Sequence, residues 1–180
     1  MIKVLFVCLG NICRSPIAEG TFRELVKKYK LEDQIQCDSV GTTGWHAGEL
    51  PDRRTIRNAI DHGIALTHRG QKITSADLDD FDHLIAMDET NFKDVNELYY
   101  KAKGKTPAPE KLFLLRDYDP ETRGVKDVPD PYFSSESAFE NVFQIVWRSN
   151  EALLQHLIDK HQLKPKTEED NSIDEVEEDL

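Results

Sequence analysis

The fold is decided by Ile2-Lys-Val-Leu-Phe-Val7 and by the residues that follow it, Cys8-Leu-Gly-Asn-Ile-Cys-Arg14-Ser15 and then Pro16. The first six residues are mostly apolar and β-branched or aromatic, which predicts a buried strand. Pro16 favours the first turn of a helix, where a missing N–H group costs little. The segment therefore predicts a strand, a short loop and a helix in direct succession.

The loop of this unit combines Cys8 and Arg14, which are separated by five residues. A loop of this length before a helix can turn its backbone N–H groups toward one point, where the helix dipole also favours negative charge. Gly10 and Asn11 suit it because both tolerate left-handed backbone conformations. We expect a phosphate-sized anion there, with Arg14 contacting two of its oxygens. Because this electropositive setting favours a thiolate at Cys8, the loop predicts attack of sulfur on phosphorus.

The rest of the chain alternates between helical and extended patterns. Apolar residues spaced by three and four predict helices over residues 17–30, 53–62, 89–103 and about 135–161, the last with a capping box at Ser137 and Glu140. Extended patterns predict further strands over residues 34–40, 81–87 and 112–115. We therefore expect one three-layer α/β domain, with a four-stranded parallel sheet flanked by helices and the phosphate-binding loop after the first strand. Cys8 would lie at the carboxyl end of that strand, where parallel sheets bind ligands.

Length and charge limit the remaining choices. The 180 residues suit one domain with its own core, which we place at residues 1–162, and no apolar run approaches the roughly 20 residues of a membrane span. The net charge of −11 disfavours nucleic acid and anionic membranes as partners. Residues 163–180 are predicted to be a disordered acidic tail, because residues 165–180 contain eight acidic residues and a single basic one, Lys166. Three cysteines argue against a disulfide framework and for the cytoplasm, and secretion without a signal peptide stays open.

The segment Val7-Cys-Leu-Gly-Asn-Ile-Cys-Arg-Ser-Pro-Ile-Ala-Glu19 resembles the signature of the low-molecular-weight protein tyrosine phosphatases. The similarity runs from Ile2 to about His161 and includes Asp38-Ser-Val-Gly-Thr42, Met87-Asp-Glu89 and Asp130-Pro-Tyr132. The resemblance implies hydrolysis of phosphotyrosine in proteins, with inorganic phosphate as the product and a phosphocysteine intermediate on Cys8.

Such a reaction needs one carboxyl group to protonate the leaving oxygen and later to activate water. Residue patterns favour Asp130, because Pro131 biases it toward an extended conformation and because it lies in a long loop before the last helix. Asp119 and Asp127 are the nearest competitors in that loop. The family's Asp-Pro-Tyr acid loop, matched here at Asp130, favours Asp130 as the general acid and base.

Phosphotyrosine also needs a slot with flat apolar walls, which aromatic side chains provide. The resemblance implies that the ring is surrounded by Leu9, Ile12, Trp45, Tyr132 and Phe133, and that the phosphate is bound by the loop with Gly10, Asn11, Cys13 and Ser15. It further implies that Ser39 and His68 hydrogen-bond with Asn11 and Ser15 to support the loop, and that Ser15 donates to Cys8. The sequence departs from the family after His68, where Gln71 stands near a position at which relatives usually place an arginine.

The other thiols and histidines carry weaker signals. Cys13 shares the loop with Cys8, so it either forms a reversible disulfide that protects the nucleophile or simply fills space. Cys37 alternates with Ile35 on a predicted strand, which favours core packing. The remaining histidines show no metal-ligand spacing, and no nucleotide-binding glycine motif is present. We expect neither a metal nor an organic cofactor, and a monomer or weak dimer.

Three alternative functions stay open. Arsenate reductases resemble this family in their anion loop, but they pass oxidation to further cysteines near the third strand, and residues 81–92 contain none. Protein-arginine phosphatases of the same fold tend to carry threonine where Ile12 stands. A non-catalytic module for phosphate binding or redox sensing would need the loop without Asp130.

Overall fold

The computed structural model describes residues 1–166. Within that range the strands are β1 (Ile2–Cys8), β2 (Ile35–Gly41), β3 (His83–Ala86) and β4 (Leu112–Leu114). They pair in parallel in the order β2-β1-β3-β4, so β1 is flanked by a strand on each side. The predicted four-stranded parallel sheet is confirmed.

The helices of the described residues are α1 (Arg14–Lys28), α2 (Arg53–Asp61), α3 (Asp77–Asp80), α4 (Glu89–Lys103) and α5 (Glu136–His161), with a 3₁₀ helix at Leu115–Tyr118. The four long helices match the predicted ones. The helix α3 and the 3₁₀ helix were not predicted, because one turn of chain is too short to show a helical hydrophobic period.

Alternating side chains of β1 build two cores. Val4 and Phe6 pack with α1 and α5, and the ring of Phe6 lies 5.5 Å from that of Phe22 in an edge-to-face arrangement. Leu5 and Val7 pack on the opposite face with Val95 of α4. Because all four of these β1 residues are fully buried, helices cover both faces of the sheet and the domain has three layers.

The capping box predicted at the start of the last helix is wrong. The helix α5 begins at Glu136, and the hydroxyl of Ser137 lies 2.9 Å from that of Ser135 instead of capping the backbone. The carboxylate of Glu140 accepts a hydrogen bond from the side chain of Asn58 at 2.6 Å. Glu140 therefore joins α5 to α2, and this longer-range pairing outweighs the local cap.

The last described residues remain in contact with the domain. The side-chain amide of Gln34 donates to the carbonyl of Lys164 at 2.6 Å and accepts from its N–H group at 3.2 Å. Most of the predicted acidic tail, residues 167–180, lies outside the described residues. Among residues 1–166, no helix combines the length and apolarity needed to cross a membrane.

Candidate active site

Residues 8–15, here called the Cys8 loop, run from the last residue of β1 to the second residue of α1 and lie at the carboxyl edge of the sheet. Asn11 at its centre has a left-handed backbone with φ of 57°. The loop is fastened to the end of β2, because the N–H groups of Thr42 and Thr43 donate to the carbonyls of Cys8 and Leu9 at 2.9 and 3.0 Å. A Cβ atom at Gly41 would lie 2.8 Å from the carbonyl oxygen of Leu9, so this close approach requires glycine.

Cys8 is almost completely buried at the base of this loop, with 3 % of its surface exposed. Its Sγ atom accepts a hydrogen bond from the N–H group of Asn11 at 3.3 Å and lies 2.9 Å from Oγ of Ser15. The predicted contact between Ser15 and Cys8 is therefore present. The Asn11 N–H group stabilises negative charge on the sulfur, and the Ser15 hydroxyl can do so when it turns its hydrogen toward Sγ.

Arg14 is equally buried, and its guanidinium is held in place from one side. Nη1 donates to Oδ2 of Asp88 at 2.6 Å and to the carbonyl of Val128 at 3.1 Å. Burial opposes the charge of Arg14, but the facing Cys8 and Asp88 outweigh it and raise the pKa of the guanidinium above its ordinary value. Sequence reasoning gave no role to Asp88, which orients Arg14 and whose other oxygen caps α4 through the N–H group of Asn91.

Asn11 is the centre of the network that supports the loop. Its Nδ2 donates to the hydroxyls of Ser15 and Ser39 at 2.8 and 3.0 Å. Its Oδ1 lies 2.6 Å from Nε2 of His68 and accepts from the N–H group of Gln71 at 3.0 Å. The structure thus brings together the four predicted support residues and adds Gln71.

Glu19 and Asp38 form an outer layer of this network that sequence reasoning missed. Oε2 of Glu19 accepts from the hydroxyl of Ser39 at 2.8 Å and lies 3.2 Å from Nδ1 of His68. Gln71 donates from its side chain to Asp38 at 2.9 Å, so the residue near which the sequence departs from the family takes part in the network. Burial alone would raise the pKa of Asp38, but hydrogen bonds with His68, the Ser39 N–H group and Gln71 lower it below its ordinary value.

The same residues are the candidates for metal ligands within residues 1–166. Ligand atoms of Glu19, Asp38 and His68 lie within 4.8 Å of one another. These atoms are already used, because Glu19 accepts from Ser39 and Arg23 and the two oxygens of Asp38 accept from the Ser39 N–H group and Gln71. Hydrogen bonding therefore accounts for the cluster.

Asp130 lies in the segment between the 3₁₀ helix and α5, here called the Asp130 loop (residues 119–135), and lines the same cavity as Cys8. Its carboxylate is half-exposed, lies 3.5 Å from Nη2 of Arg14 and accepts from the N–H group of Tyr132 at 3.2 Å. The loop is anchored to the end of β3, because the N–H group of Val128 donates to the carbonyl of Met87 at 2.8 Å.

The two competing carboxylates of the loop have other partners. Asp127 accepts from the N–H group of Glu89 at the start of α4. Asp119 is buried between Arg116 and Arg148, with contacts of 3.0 and 2.7 Å. Burial alone would raise the pKa of Asp119, but Arg148 and the Glu121 N–H group lower it by hydrogen bonding. Asp130 is the carboxylate of these three that lines the cavity above Cys8.

The cavity has a volume of about 280 Å³. It brings together the predicted nucleophile, arginine, acid and aromatic walls, and is lined by Cys8, Leu9, Gly10, Ile12, Cys13, Arg14, Trp45, His46, Asp130, Tyr132 and Phe133. His46 is the member that sequence reasoning missed. Trp45 and Phe133 are 71 % and 97 % exposed, so apolar rings stand free at the mouth.

The other two cysteines differ from Cys8 in their surroundings. Burial, reinforced by the carboxylate of Asp52, raises the pKa of Cys13 to about 12. Burial likewise raises the pKa of Cys37 to about 12, and Cys37 lines a wider groove of about 650 Å³ between α1 and β2. Both thiols are therefore protonated at neutral pH.

Comparison with known proteins identifies the family. The family model described as "Low molecular weight phosphotyrosine protein phosphatase" matches residues 3–163. The chain belongs to this family. The match covers the Cys8 loop, the support network and the Asp130 loop, and it ends close to the last residues that contact the domain.

Individual relatives of the low molecular weight phosphatase family agree over the same length. A low molecular weight phosphotyrosine protein phosphatase of Sus scrofa is 40 % identical over 153 residues, which cover 85 % of this chain and 94 % of the relative. The low molecular weight protein-tyrosine-phosphatase YfkJ of Bacillus subtilis is 42 % identical over 164 residues, covering 91 % of this chain and all of the relative.

Solved structures give the same result. The crystal structure of YfkJ from Bacillus subtilis has a TM-score of 0.80 at 39 % identity, covering 89 % of this chain and 96 % of that one. A protein tyrosine phosphatase from Entamoeba histolytica with Hepes in the active site has a TM-score of 0.78 at 31 % identity, covering 91 % and 100 %. A Drosophila arginine phosphatase has a TM-score of 0.76 at 36 % identity, covering 86 % and 97 %.

Proposed function

We propose that the protein hydrolyses phosphotyrosine in proteins, with Cys8 as the nucleophile and Asp130 as the general acid and base. One observation carries this proposal. Buried Cys8 and Arg14 and half-exposed Asp130 line a single cavity whose mouth is formed by exposed aromatic rings. Family membership supports the same reading.

In the first step, the Cys8 sulfur attacks phosphorus in line with the tyrosyl oxygen. The S–P bond forms while the bond between phosphorus and the tyrosyl oxygen breaks, and Asp130 transfers its proton to the leaving oxygen. Arg14 and the N–H groups of the Cys8 loop bind the three equatorial oxygens. Asp88 and Val128 hold Arg14 in place before the reaction. The negative charge that develops on these oxygens in the transition state is therefore stabilised by donors that do not have to move.

In the second step, water attacks the phosphocysteine. Asp130, now ionised, accepts a proton from the water, the S–P bond breaks, and phosphate leaves while the sulfur regains its electron pair. The hydroxyl of Ser15 lies 2.9 Å from Sγ and would stabilise the sulfur as the leaving group.

Substitution of the nucleophile tests the proposal. Cys8→Ser is expected to lose activity on p-nitrophenyl phosphate by about 10⁴-fold or more, because an unactivated hydroxyl replaces the sulfur. Cys37→Ser is the matched control, since Cys37 lies outside the cavity, and it should turn over like the wild type. Full activity of Cys8→Ser would contradict the proposal.

Phosphoarginine is the second candidate substrate, because the Drosophila arginine phosphatase shares the fold at 36 % identity. Ile12 lines the cavity with an apolar side chain that offers no acceptor to a guanidinium group. This favours a phenyl ring over phosphoarginine. Rates on matched phosphotyrosine and phosphoarginine peptides decide between the two, and a higher rate on phosphoarginine would reverse the assignment.

Other features stay predictions from the sequence. These are the location in the cytoplasm, the monomeric or weakly dimeric state, the domain boundary at residue 162 and the disordered acidic tail. Redox regulation through Cys13 is likewise a prediction.

A further inference from the structure

Arg54, the second residue of α2, is held rigidly although it lies at the surface. Asp52 precedes the helix and caps it by accepting from the N–H group of Arg54 at 2.9 Å. The guanidinium of Arg54 in turn donates to both oxygens of Asp52 at 3.0 Å, through Nε and Nη2. Such a two-point contact fixes the plane of the guanidinium as well as its position.

The rest of this guanidinium reaches the Asp130 loop. Nη2 donates to the carbonyl of Tyr132 at 2.8 Å and Nη1 to the carbonyl of Ser134 at 3.2 Å. The guanidinium also lies over the ring of Phe139, 4.5 Å from its centre. Arg54 therefore contacts Tyr132 and Ser134 near the end of the loop and Phe139 in the first turn of α5.

These contacts lead directly to the proposed acid. Within residues 1–166, the carboxylate of Asp130 has two polar contacts, with Nη2 of Arg14 at 3.5 Å and with the N–H group of Tyr132 at 3.2 Å. The N–H group that binds Asp130 and the carbonyl group that binds Arg54 belong to the same residue, Tyr132. Only the side chain of Arg54 and one residue of backbone lie between Asp52 and the Asp130 carboxylate.

Asp52, which pairs with Arg54, also contacts the loop that carries the nucleophile. Its N–H group donates to the carbonyl of Ile12 in the Cys8 loop at 2.8 Å. The Asp52–Arg54 pair therefore contacts the Cys8 loop through Asp52 and the Asp130 loop through Arg54. The two loops are also joined directly, by the bond from Nη1 of Arg14 to the carbonyl of Val128 at 3.1 Å. Asp52 and Arg54 therefore form a second bridge, which holds the side of the acid opposite to Val128 in the sequence.

We infer that Arg54 is a positioning residue, which sets the position of the Asp130 carboxylate over Cys8 by holding residues 132–134. The inference rests on the proposed role of Asp130. An acid must lie within hydrogen-bond reach of the leaving oxygen, and a misplacement of 1 Å can cost roughly 100-fold in rate. Arg54 acts through the loop and does not touch the substrate.

The test compares two leaving groups. Phenolate needs protonation as it leaves, whereas p-nitrophenolate is far more stable as an anion, so a misplaced acid affects phenyl phosphate more. Arg54→Met keeps an apolar stem over Phe139 but removes every donor. It should lower kcat/KM on phenyl phosphate by about 10- to 100-fold, lower kcat/KM on p-nitrophenyl phosphate several-fold less, and keep the Kd for vanadate within about twofold.

Two further variants separate position from charge and from folding. Arg54→Lys keeps the charge without the planar fork and should restore only part of the rate on phenyl phosphate. Arg57→Met is the matched control: it lies one turn later on α2 and pairs with Glu136 at 3.1 Å. This control should change neither rate by more than about twofold.

A double-mutant cycle completes the experiment. In the Asp130→Asn background, Arg54→Met should lower kcat/KM on phenyl phosphate by less than about twofold, because the group it positions is already absent. Equal losses in both backgrounds, equal losses on both substrates, or a parallel loss of vanadate affinity would overturn the inference. Failure of the proposed function would appear separately, as full activity of Asp130→Asn itself.

Discussion

The Cys8 loop and the Asp130 loop face each other across one cavity, yet they are built differently. Cys8, Asn11, Arg14 and Ser15 are each 3 % exposed or less and hydrogen-bond with one another or with buried partners. In the Asp130 loop the acid is half-exposed, and Phe133 next to it is almost fully exposed. The first loop is buried around its own hydrogen-bond network, whereas the second is held by backbone contacts at Val128 and Tyr132 and leaves the side chains of Asp130 and Phe133 open to solvent.

This difference matches the two tasks. Binding the equatorial oxygens of a transition state needs donors that do not reorganise, and burial in a network provides that. Proton transfer at the mouth needs one group at the correct distance while a protein-borne tyrosine enters and leaves. The comparison predicts that damage to the two loops has different kinetic signatures.

After the loss expected for Cys8→Ser, the largest effect is expected at the acid of the Asp130 loop. Asp130→Asn should lower kcat/KM on phenyl phosphate by about 10²- to 10⁴-fold, because the leaving oxygen departs unprotonated. The loss on p-nitrophenyl phosphate should be smaller, and vanadate should still bind. Asp127→Asn is the control, since its side chain binds the Glu89 N–H group. Equal rates for Asp130→Asn and wild type would assign the acid elsewhere.

The next effect concerns the anchored end of the same loop. Asp119→Asn removes a buried carboxylate that pairs with Arg116 and Arg148, which should lower the free energy of unfolding at pH 7 by about 3 kcal/mol. Because the pKa of Asp119 is lowered in the folded state from 3.8, this stabilisation is fully present above that value. It is lost as the pH falls through the folded-state pKa.

Urea unfolding at pH 7, pH 5 and pH 3 checks this. The gap between wild type and Asp119→Asn should be constant from pH 7 to pH 5 and narrow at pH 3. The exposed carboxylate variant Asp159→Asn should show no such gap. A gap that widens on acidification would contradict the assignment.

A smaller effect is expected in the Cys8 loop, and there the loss of rate should be similar on both substrates. Asn11→Ala removes four polar contacts and places alanine at a φ of 57°, which costs roughly 1–2 kcal/mol in backbone strain alone. We expect kcat/KM to fall by about 10- to 100-fold on phenyl and p-nitrophenyl phosphate alike. Vanadate affinity should fall with it.

Asn58→Ala is the matched control for that variant, because Asn58 bonds to Glu140 outside the cavity. If Asn11→Ala lost rate on phenyl phosphate alone, the different kinetic signatures predicted for the two loops would be contradicted.

The smallest effect distinguishes the two readings of Cys13. Peroxide converts the Cys8 thiolate to a sulfenic acid, and condensation with the Cys13 thiol would release water and form a disulfide that dithiothreitol reduces. Each enzyme is normalised to its own untreated rate. Cys13→Ser should then recover several-fold less activity than wild type after peroxide and dithiothreitol. Equal recovery would leave Cys13 as packing beside Ile12 and Phe139.

The parts of the site that lie in one segment could be predicted from the sequence. Cys8 and Arg14 stand in a loop between a recognisable strand and helix, so their proximity follows from the local pattern. Asp130 was indicated by Pro131 and by the resemblance of its motif. The strand and helix order followed from hydrophobic periods and predicted the parallel sheet.

The missed residues contact the site from other elements. Asp88, Arg54 and Gln71 reach it through pairings over long sequence distances, and a hydrophobic period does not report polar contacts of that kind. Glu19 carried a usable signal, because it lies four residues after Ser15 and therefore on the same face of α1. The capping box predicted at Ser137 and Glu140 is wrong for the same reason, because Glu140 accepts a hydrogen bond from Asn58 of α2.

The central claim is that a phosphoryl group is carried on Cys8. The direct measurement mixes Asp130→Asn with p-nitrophenyl phosphate that is labelled in its phosphoryl group, followed by quenching and digestion. Because this leaving group needs little protonation, the variant slows breakdown of the intermediate more than its formation. We predict that the label is found on the peptide that contains Cys8. Label on another residue, or release of p-nitrophenol without any labelled enzyme, would contradict the account.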